Sequence, residues 1–150
     1  MEWCKIDWKG YYSIGAVKTK AESLDDFGIY AIYETTSSAP QKLLYIGETY
    51  WQTFGKRLRQ HEREWLDKVK GKLLIAFGTV TLPEGNKISQ SRIFDVECSL
   101  IDEYRPPYNT IGKCGYDGRH LVIFNSGKIG TLDKIVSTDR EFLKLLKKHV

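Results

Sequence analysis

The sequence predicts a small α/β (α+β) domain: a three-stranded antiparallel core sheet flanked by helices, followed by a C-terminal hairpin and helix. Three observations predict it. Two runs rich in β-formers, residues 27–33 (FGIYAIY) and 42–47 (KLLYIG), are separated by a short polar turn. That connection is too short for a parallel crossover, so the pair is expected to be antiparallel. Two stretches with apolar residues at helical spacing follow, one on each side of a third β-rich run. No repeat, low-complexity tract or long linker interrupts the 150 residues, a length that suits one domain with its own core.

The elements are expected in this order. Residues 1–26, with Trp3, Trp8, Tyr11 and Tyr12 and the acidic patch Glu22–Asp26, read as an extended N-terminal arm or edge element. Phe27–Tyr33 and Lys42–Gly47 are strands joined by the Pro-containing turn 34–41. Trp51, Phe54, Leu58, Trp65 and Val69 mark an amphipathic helix to about Lys70, stopped by Gly71. Gly55 weakens its first turns and moves the start towards Phe54. Lys72–Leu82 is the third strand, closed by the turn PEGN at 83–86. Ser89–Tyr104 is a second helix with Ile93, Val96, Leu100, Ile101 and Tyr104 on its buried stripe, ended by Pro106-Pro107. Leu121–Phe124 and Lys128–Leu132 flank Asn125-Ser126-Gly127 as a hairpin. Thr138 and Glu141 have capping-box spacing and open a last helix carrying Phe142, Leu143, Leu145 and Leu146.

Composition narrows the function classes. Apolar residues at 41% and charged residues at 28% are ordinary for a soluble globular protein. No membrane-length apolar run and no signal-peptide core are present, so the expected location is intracellular, cytoplasmic or nucleoid-associated, with no membrane partner. Cys4, Cys98 and Cys114 form no CxxC pair, which argues against a zinc ribbon or disulfide framework and for reduced thiols. The net charge of +4 is compatible with a polyanionic partner. Positive charge gathers at Lys56, Arg57, Arg59, Arg63, Lys68 and Lys70, against Glu62, Glu64 and Asp67, as a phosphate-binding surface or a solvated helix face.

Arg57 and His61, four apart on one helix face, suit phosphate binding and proton exchange near neutral pH. They equally suit plain solvation. Glu97 lies beside the apolar stripe of the second helix rather than opposite it, where a carboxylate needs a cation or a metal. Magnesium accepts such a lone hard ligand, keeping waters for the rest.

The combination GIY (Gly28–Tyr30) and YIG (Tyr45–Gly47), followed by KRLRQH (Lys56–His61) and VECSLIDEYRPPYNT (Val96–Thr110), resembles the GIY-YIG nuclease superfamily. The resemblance covers a core of about 27–111, leaving 1–26 as an arm and 113–150 as a C-terminal extension. It implies an endonuclease that hydrolyses DNA phosphodiesters, duplex or branched, with one Mg²⁺ (or Mn²⁺). Glu97 would be the only protein ligand of the metal. Tyr45, helped by Tyr30, would stand beside the attacking water, with one phenol as general base or relaying the proton towards His61 or the metal. Arg57 would stabilise the pentacovalent phosphate, His61 would bond a phosphate oxygen or the water, and Asn109 would hold the geometry.

Two departures stand out. Glu48 follows YIG where many relatives carry lysine; an acid there raises a neighbouring phenol's pKa and shifts weight to His61 or a metal-activated water. Arg59 is a second arginine near Arg57, which is preferred because it shares a face with His61. Lys56, Arg59, Arg63, Lys113 and Arg119 are the expected phosphate contacts, and the N-terminal aromatics either stack on bases or complete the core. A catalytically weak nucleic-acid-binding module acting with a partner subunit, a homodimer, and a subunit that binds no nucleic acid are the alternatives.

Overall fold

The computed structural model describes residues 2–20, 28–49, 54–83, 89–110 and 120–148, apart from the side chains of residues 19 and 20. The acidic patch Glu22–Asp26, the turn 83–86 beyond Pro83, the start of the first expected helix at 51–53, and Lys113, Cys114 and Arg119 lie outside the described residues.

The strands β2 (Ile29–Thr35), β3 (Lys42–Glu48) and β4 (Lys72–Thr81) lie side by side and antiparallel, with β2 in the middle. They are one half of a larger sheet. Strands β1 (Glu2–Ser13), β5 (Leu121–Gly127) and β6 (Ile135–Ser137) complete a six-stranded mixed sheet of order β3-β2-β4-β1-β5-β6. Among the described strands only β1 and β5 pair in parallel.

The expected N-terminal arm is therefore a strand inside the sheet, between β4 and β5. Its alternation was written in Cys4-Lys5-Ile6-Asp7-Trp8-Lys9, where Cys4, Ile6 and Trp8 are buried and Lys5, Asp7 and Lys9 exposed. The aromatic residues around that run mask the period. Trp8 is sealed in the core, its indole N–H donating to Asn125 Oδ1 at 2.9 Å.

The C-terminal hairpin also differs from expectation. Asn125 accepts from Trp8 and donates from Nδ2 to the Asp133 carbonyl at 2.9 Å, so it is spent inside the sheet rather than turning the chain. β5 continues to Gly127, whose φ of +79° suits glycine, and the return strand is β6 rather than Lys128–Leu132. The last helix, α4 (Arg140–Lys148), opens on Asp139, whose Oδ1 accepts from Phe142 N at 3.1 Å. Thr138 Oγ1 instead accepts from Leu121 N at 3.1 Å, so the strand pairing takes the hydroxyl that the expected cap needed.

Helices cover both faces. α3 (Gln90–Tyr104) packs Ile93, Val96, Leu100 and Ile101 onto the face holding Ile29, Ala31, Ile46 and Ala76. On the other face α1 (Ile14–Lys20) brings Val17, and α2 (Phe54–Glu64) brings Phe54 and Leu58, onto Tyr30, Ile32, Ile75 and Phe77. α2 is shorter than its period suggested; a 3₁₀ turn, Leu66–Lys68, carries the chain on towards β4. No helix among the described residues is long and apolar enough to cross a membrane.

A fragment starting at residue 27 loses the three buried side chains of β1, worth roughly 2–3 kcal/mol each, against a typical total of about 5–15 kcal/mol. It also bares edges of β4 and β5. The expected outcome is an unfolded or aggregated fragment, checked by circular dichroism and thermal melting; a cooperative melt near that of the full chain overturns the central role of β1.

Candidate active site

Strand register brings the two tyrosines together. Tyr30 lies opposite Gly47 and Ile32 opposite Tyr45, so Tyr30 and Tyr45 are diagonal neighbours on one face of the sheet. Their rings stack with centroids 5.9 Å apart. Gly47 is required by this packing: a Cβ there would stand 2.5 Å from the Tyr30 hydroxyl. Gly28 serves the opposite face, where a Cβ would meet Ile93 Cδ1 of α3 at 2.7 Å. The two glycines are close-approach positions, each beside a buried side chain that a Cβ would displace.

α2 lies over the tyrosines, anchored by Phe54 edge-on to Tyr30 at 4.7 Å. One turn on, Arg57 Nη2 donates to the Tyr45 hydroxyl at 2.6 Å and Nη1 to Gln60 Oε1 at 2.7 Å. This fixes the guanidinium, which also hydrogen-bonds Tyr30, and a five-donor fork has N–H groups beyond these three bonds to offer an anion. Another turn on, His61 Nε2 lies 2.8 Å from the Tyr30 hydroxyl. Trp65 Nε1 donates to His61 Nδ1 at 3.2 Å, and its ring stacks on Tyr108 at 4.4 Å and 11°.

β3 is an edge strand, and the segment after α3 closes that edge. Arg105 caps α3 in the left-handed conformation and turns the chain towards β3. Tyr108 N then donates to Leu44 O at 3.1 Å. Asn109 binds both backbone polar groups of Ile46 with its amide, Oδ1 accepting from Ile46 N at 2.9 Å and Nδ2 donating to Ile46 O at 2.8 Å. Asn109 thus acts as a substitute strand residue and holds Tyr45, its neighbour's neighbour, in place.

A cleft of about 870 Å³ opens over this edge. β3 contributes Tyr45 and Glu48, and α2 contributes Arg57, His61 and Glu64. One stripe of α3, Gln90, Phe94, Glu97 and Ile101, forms the facing wall. Tyr30 is fully buried beneath Tyr45 and does not line the cleft.

The electrostatics are uneven. Among the described residues three carboxyl groups, Glu48, Glu64 and Glu97, face the cleft with one guanidinium, Arg57. Burial, and then the charge of Glu48, push Glu97 up to about 8 against the pull of Arg57. The influence of Glu48 therefore falls on Glu97, whereas Tyr45 is raised first by burial and then by Glu97, with Arg57 opposing. Burial raises Tyr30 well above the ordinary phenol value. His61 is lowered to about 4, by burial and then by the Arg57 charge, so it is neutral at physiological pH.

The structure brings Tyr30, Tyr45, Arg57, His61, Glu97 and Asn109 to one end of the sheet, with one difference from the expected roles. His61 is 2% exposed and both ring nitrogens are engaged inside the protein, so neither faces a phosphate or a water in the cleft. Lys56, Arg59 and Arg63 form an exposed stripe on α2 beside the cleft rather than in it. Among the N-terminal aromatics Trp8 is core, Tyr11 and Tyr12 pack against Tyr33 and Phe77, and Trp3 lies against Phe124. Trp65 and Tyr108 were not singled out as site residues. The i, i+4 spacing of His61 and Trp65 was the available signal for the first; nothing local pointed to the second.

Comparison with known proteins returns no match: no family model, no curated protein and no solved structure is similar enough to the chain to count. The site is therefore read from its own geometry.

Two outcomes test that geometry. Asn109→Ala leaves both backbone polar groups of Ile46 unpaired at a buried edge and should cost on the order of 2–3 kcal/mol, read by urea unfolding; a change below about 0.5 kcal/mol overturns the edge-closing role. Glu97 is raised on folding, so the native state binds more protons than the unfolded one between the ordinary carboxylate value and about 8. Stability from this group is complete at acid pH and is lost as pH rises through about 8. Glu97→Gln should therefore raise the Tm more at pH 8 than at pH 5, and an equal shift at both overturns the burial of its charge.

Proposed function

We propose that the chain is a divalent-metal-dependent endonuclease that hydrolyses phosphodiester bonds of DNA. The observation that supports it most is the convergence on one cleft of a phenol, a guanidinium and a half-buried carboxylate from three separate elements, β3, α2 and α3. Each suits a different need of phosphoryl chemistry, and two of them are braced from behind, Arg57 by Gln60 and Tyr45 by Tyr30.

The donor set fits a hard cation. Glu97 is held in a poorly solvated place beside Glu48, where a proton or a cation must offset its charge. Among the described residues no group of three or more His, Cys, Asp or Glu side chains gathers as a cage. One carboxylate with waters and phosphate oxygens is the usual environment of Mg²⁺ or Mn²⁺ rather than of zinc. When bound, the ion supplies Lewis-acid stabilisation of charge on the phosphate and the leaving oxygen.

The chain's own residues then divide the work. Arg57 offers its remaining N–H groups to the phosphate oxygens, whose charge grows in the transition state. Tyr45 presents the phenol oxygen that lines the cleft. Asn109, Gln60 and the buried Tyr30–His61 pair hold these groups in position. Lys56, Arg59 and Arg63 hold phosphates flanking the cut on duplex or branched DNA; Lys113 and Arg119, outside the described residues, are the other proposed phosphate contacts. A module that only binds nucleic acid fits less well, because among the described lining residues Glu48 and Glu64 oppose a phosphate beside the single Arg57, and Glu97 waits for a proton or a cation.

Plasmid and branched DNA should be cut in Mg²⁺ or Mn²⁺ and left whole in chelator. Glu97→Ala should abolish cutting while binding persists with a steep salt dependence. Mg²⁺-dependent cutting that survives Glu97→Ala overturns the metal assignment, and salt-insensitive binding overturns the phosphate contacts.

A further inference from the structure

The hydrogen bonds behind the cleft have a direction. An indole N–H can only donate, so Trp65 Nε1, 3.2 Å from His61 Nδ1, requires a bare lone pair on that nitrogen. The His61 ring is neutral at physiological pH, and its single proton must then sit on Nε2. From there it donates to the Tyr30 oxygen at 2.8 Å. With its oxygen receiving that bond, the Tyr30 hydroxyl is free to donate onward, and a hydrogen bond from Tyr30 acts on Tyr45. Arg57 Nη2 donates to the same Tyr45 oxygen at 2.6 Å. Every donor in the chain Trp65, His61, Tyr30 points the same way, and the path ends on Tyr45, which lines the cleft and whose oxygen Arg57 also holds. Tyr108, the other tyrosine in the described lining, stacks on Trp65 instead.

We propose that Trp65 is a positioning residue that locks His61 as a one-way hydrogen-bond donor, so the proton of the attacking water passes to the Tyr45 oxygen and not to His61. The inference rests on the phosphodiesterase reading and narrows it to one proton acceptor. His61 has no free lone pair: Nδ1 is taken by Trp65, and Nε2 already carries the proton. Tyr30 cannot replace Tyr45, because it is fully buried and touches no water in the cleft.

The step balances as follows. Tyr45, having released its phenolic proton to solvent, takes one proton from a water molecule. The hydroxide so formed bonds to phosphorus, the bond from phosphorus to the leaving oxygen breaks, and that oxygen takes a proton from bulk water. Burial, and then the charge of Glu97, oppose that phenolate, while the charge of Arg57 and the hydrogen bonds donated by Arg57 and Tyr30 favour it; His61 strengthens Tyr30 as a donor.

Two measurements decide the matter. A long-range ¹H–¹⁵N spectrum of the wild-type protein at pH 7 should show His61 with Nε2 protonated and Nδ1 bare. Trp65→Phe should shift it to a mixture of tautomers. A wild-type His61 protonated at Nδ1, or a spectrum unchanged by Trp65→Phe, overturns the lock.

The second measurement is cleavage of plasmid DNA. A glutamine at position 61 donates an N–H but cannot act as a base, so His61→Gln should cost less than about tenfold while His61→Leu costs far more. Loss of a general base costs about 10²–10⁴. A His61→Gln enzyme as inactive as His61→Leu, in a protein that still melts normally, overturns the assignment to Tyr45. A wild-type protein that cuts no nucleic acid overturns the reaction and the proton acceptor with it, whereas the spectrum still decides the role of Trp65.

Discussion

The bond between the Tyr30 hydroxyl and His61 Nε2, 2.8 Å long and closed to solvent, ties the sheet to the helix that covers it. A buried hydroxyl and a buried imidazole each carry a desolvation cost that only a partner relieves. Here each relieves the other, and Trp65 satisfies the second ring nitrogen. Removing any one of the three leaves a polar group stranded among Phe54, Leu58 and Phe77. The helix therefore has one register over β2 and β3, and that register carries Arg57 to the Tyr45 oxygen.

The site is layered in consequence. Tyr45, Arg57 and Glu97 meet the cleft. Tyr30 lies behind them, while His61, Trp65 and Asn109 border the cleft with their polar atoms turned inward, to Tyr30, to one another and to the Ile46 backbone. The same burial that makes the supporting layer rigid sets its chemistry: it holds His61 neutral by depressing it to about 4 and leaves the Glu97 carboxyl at about 8, where a cation competes with a proton. A site on an edge strand has the further need that the edge be closed, and the chain uses the segment after α3 for this. One interaction thus protects the sheet from unwanted pairing and places the tyrosine.

Legibility differed sharply between local and distant features. Lys42–Gly47 and Phe27–Tyr33 read as strands because β-rich runs buried on both faces stand out from their surroundings. Ser89 and the stripe from Ile93 to Ile101 read as a helix because capping and period are local properties. β1 was misread although Cys4, Ile6 and Trp8 alternate cleanly with charges, because an edge and an interior strand share that pattern until their neighbours are known. The Asn125 turn and the Thr138 cap failed for a related reason. Both side chains have local bonding options, and in both cases a partner distant in sequence took them, Trp8 for Asn125 and Leu121 for Thr138.

The residue types of the candidate site, their order and the two glycines between them were determined by the sequence alone, since spacing along strands and helices fixes which side chains share a face. Tertiary structure alone decided their standing. It buried Tyr30 and exposed Tyr45 to the cleft, turned the charge of Glu48 upon Glu97, and gave His61 a donor at one nitrogen and an acceptor at the other. The physical reason is that burial and hydrogen-bond direction belong to the packed arrangement, in which residues 30, 61 and 65 share one small volume. A tyrosine, a histidine and a tryptophan carry no such direction until they touch.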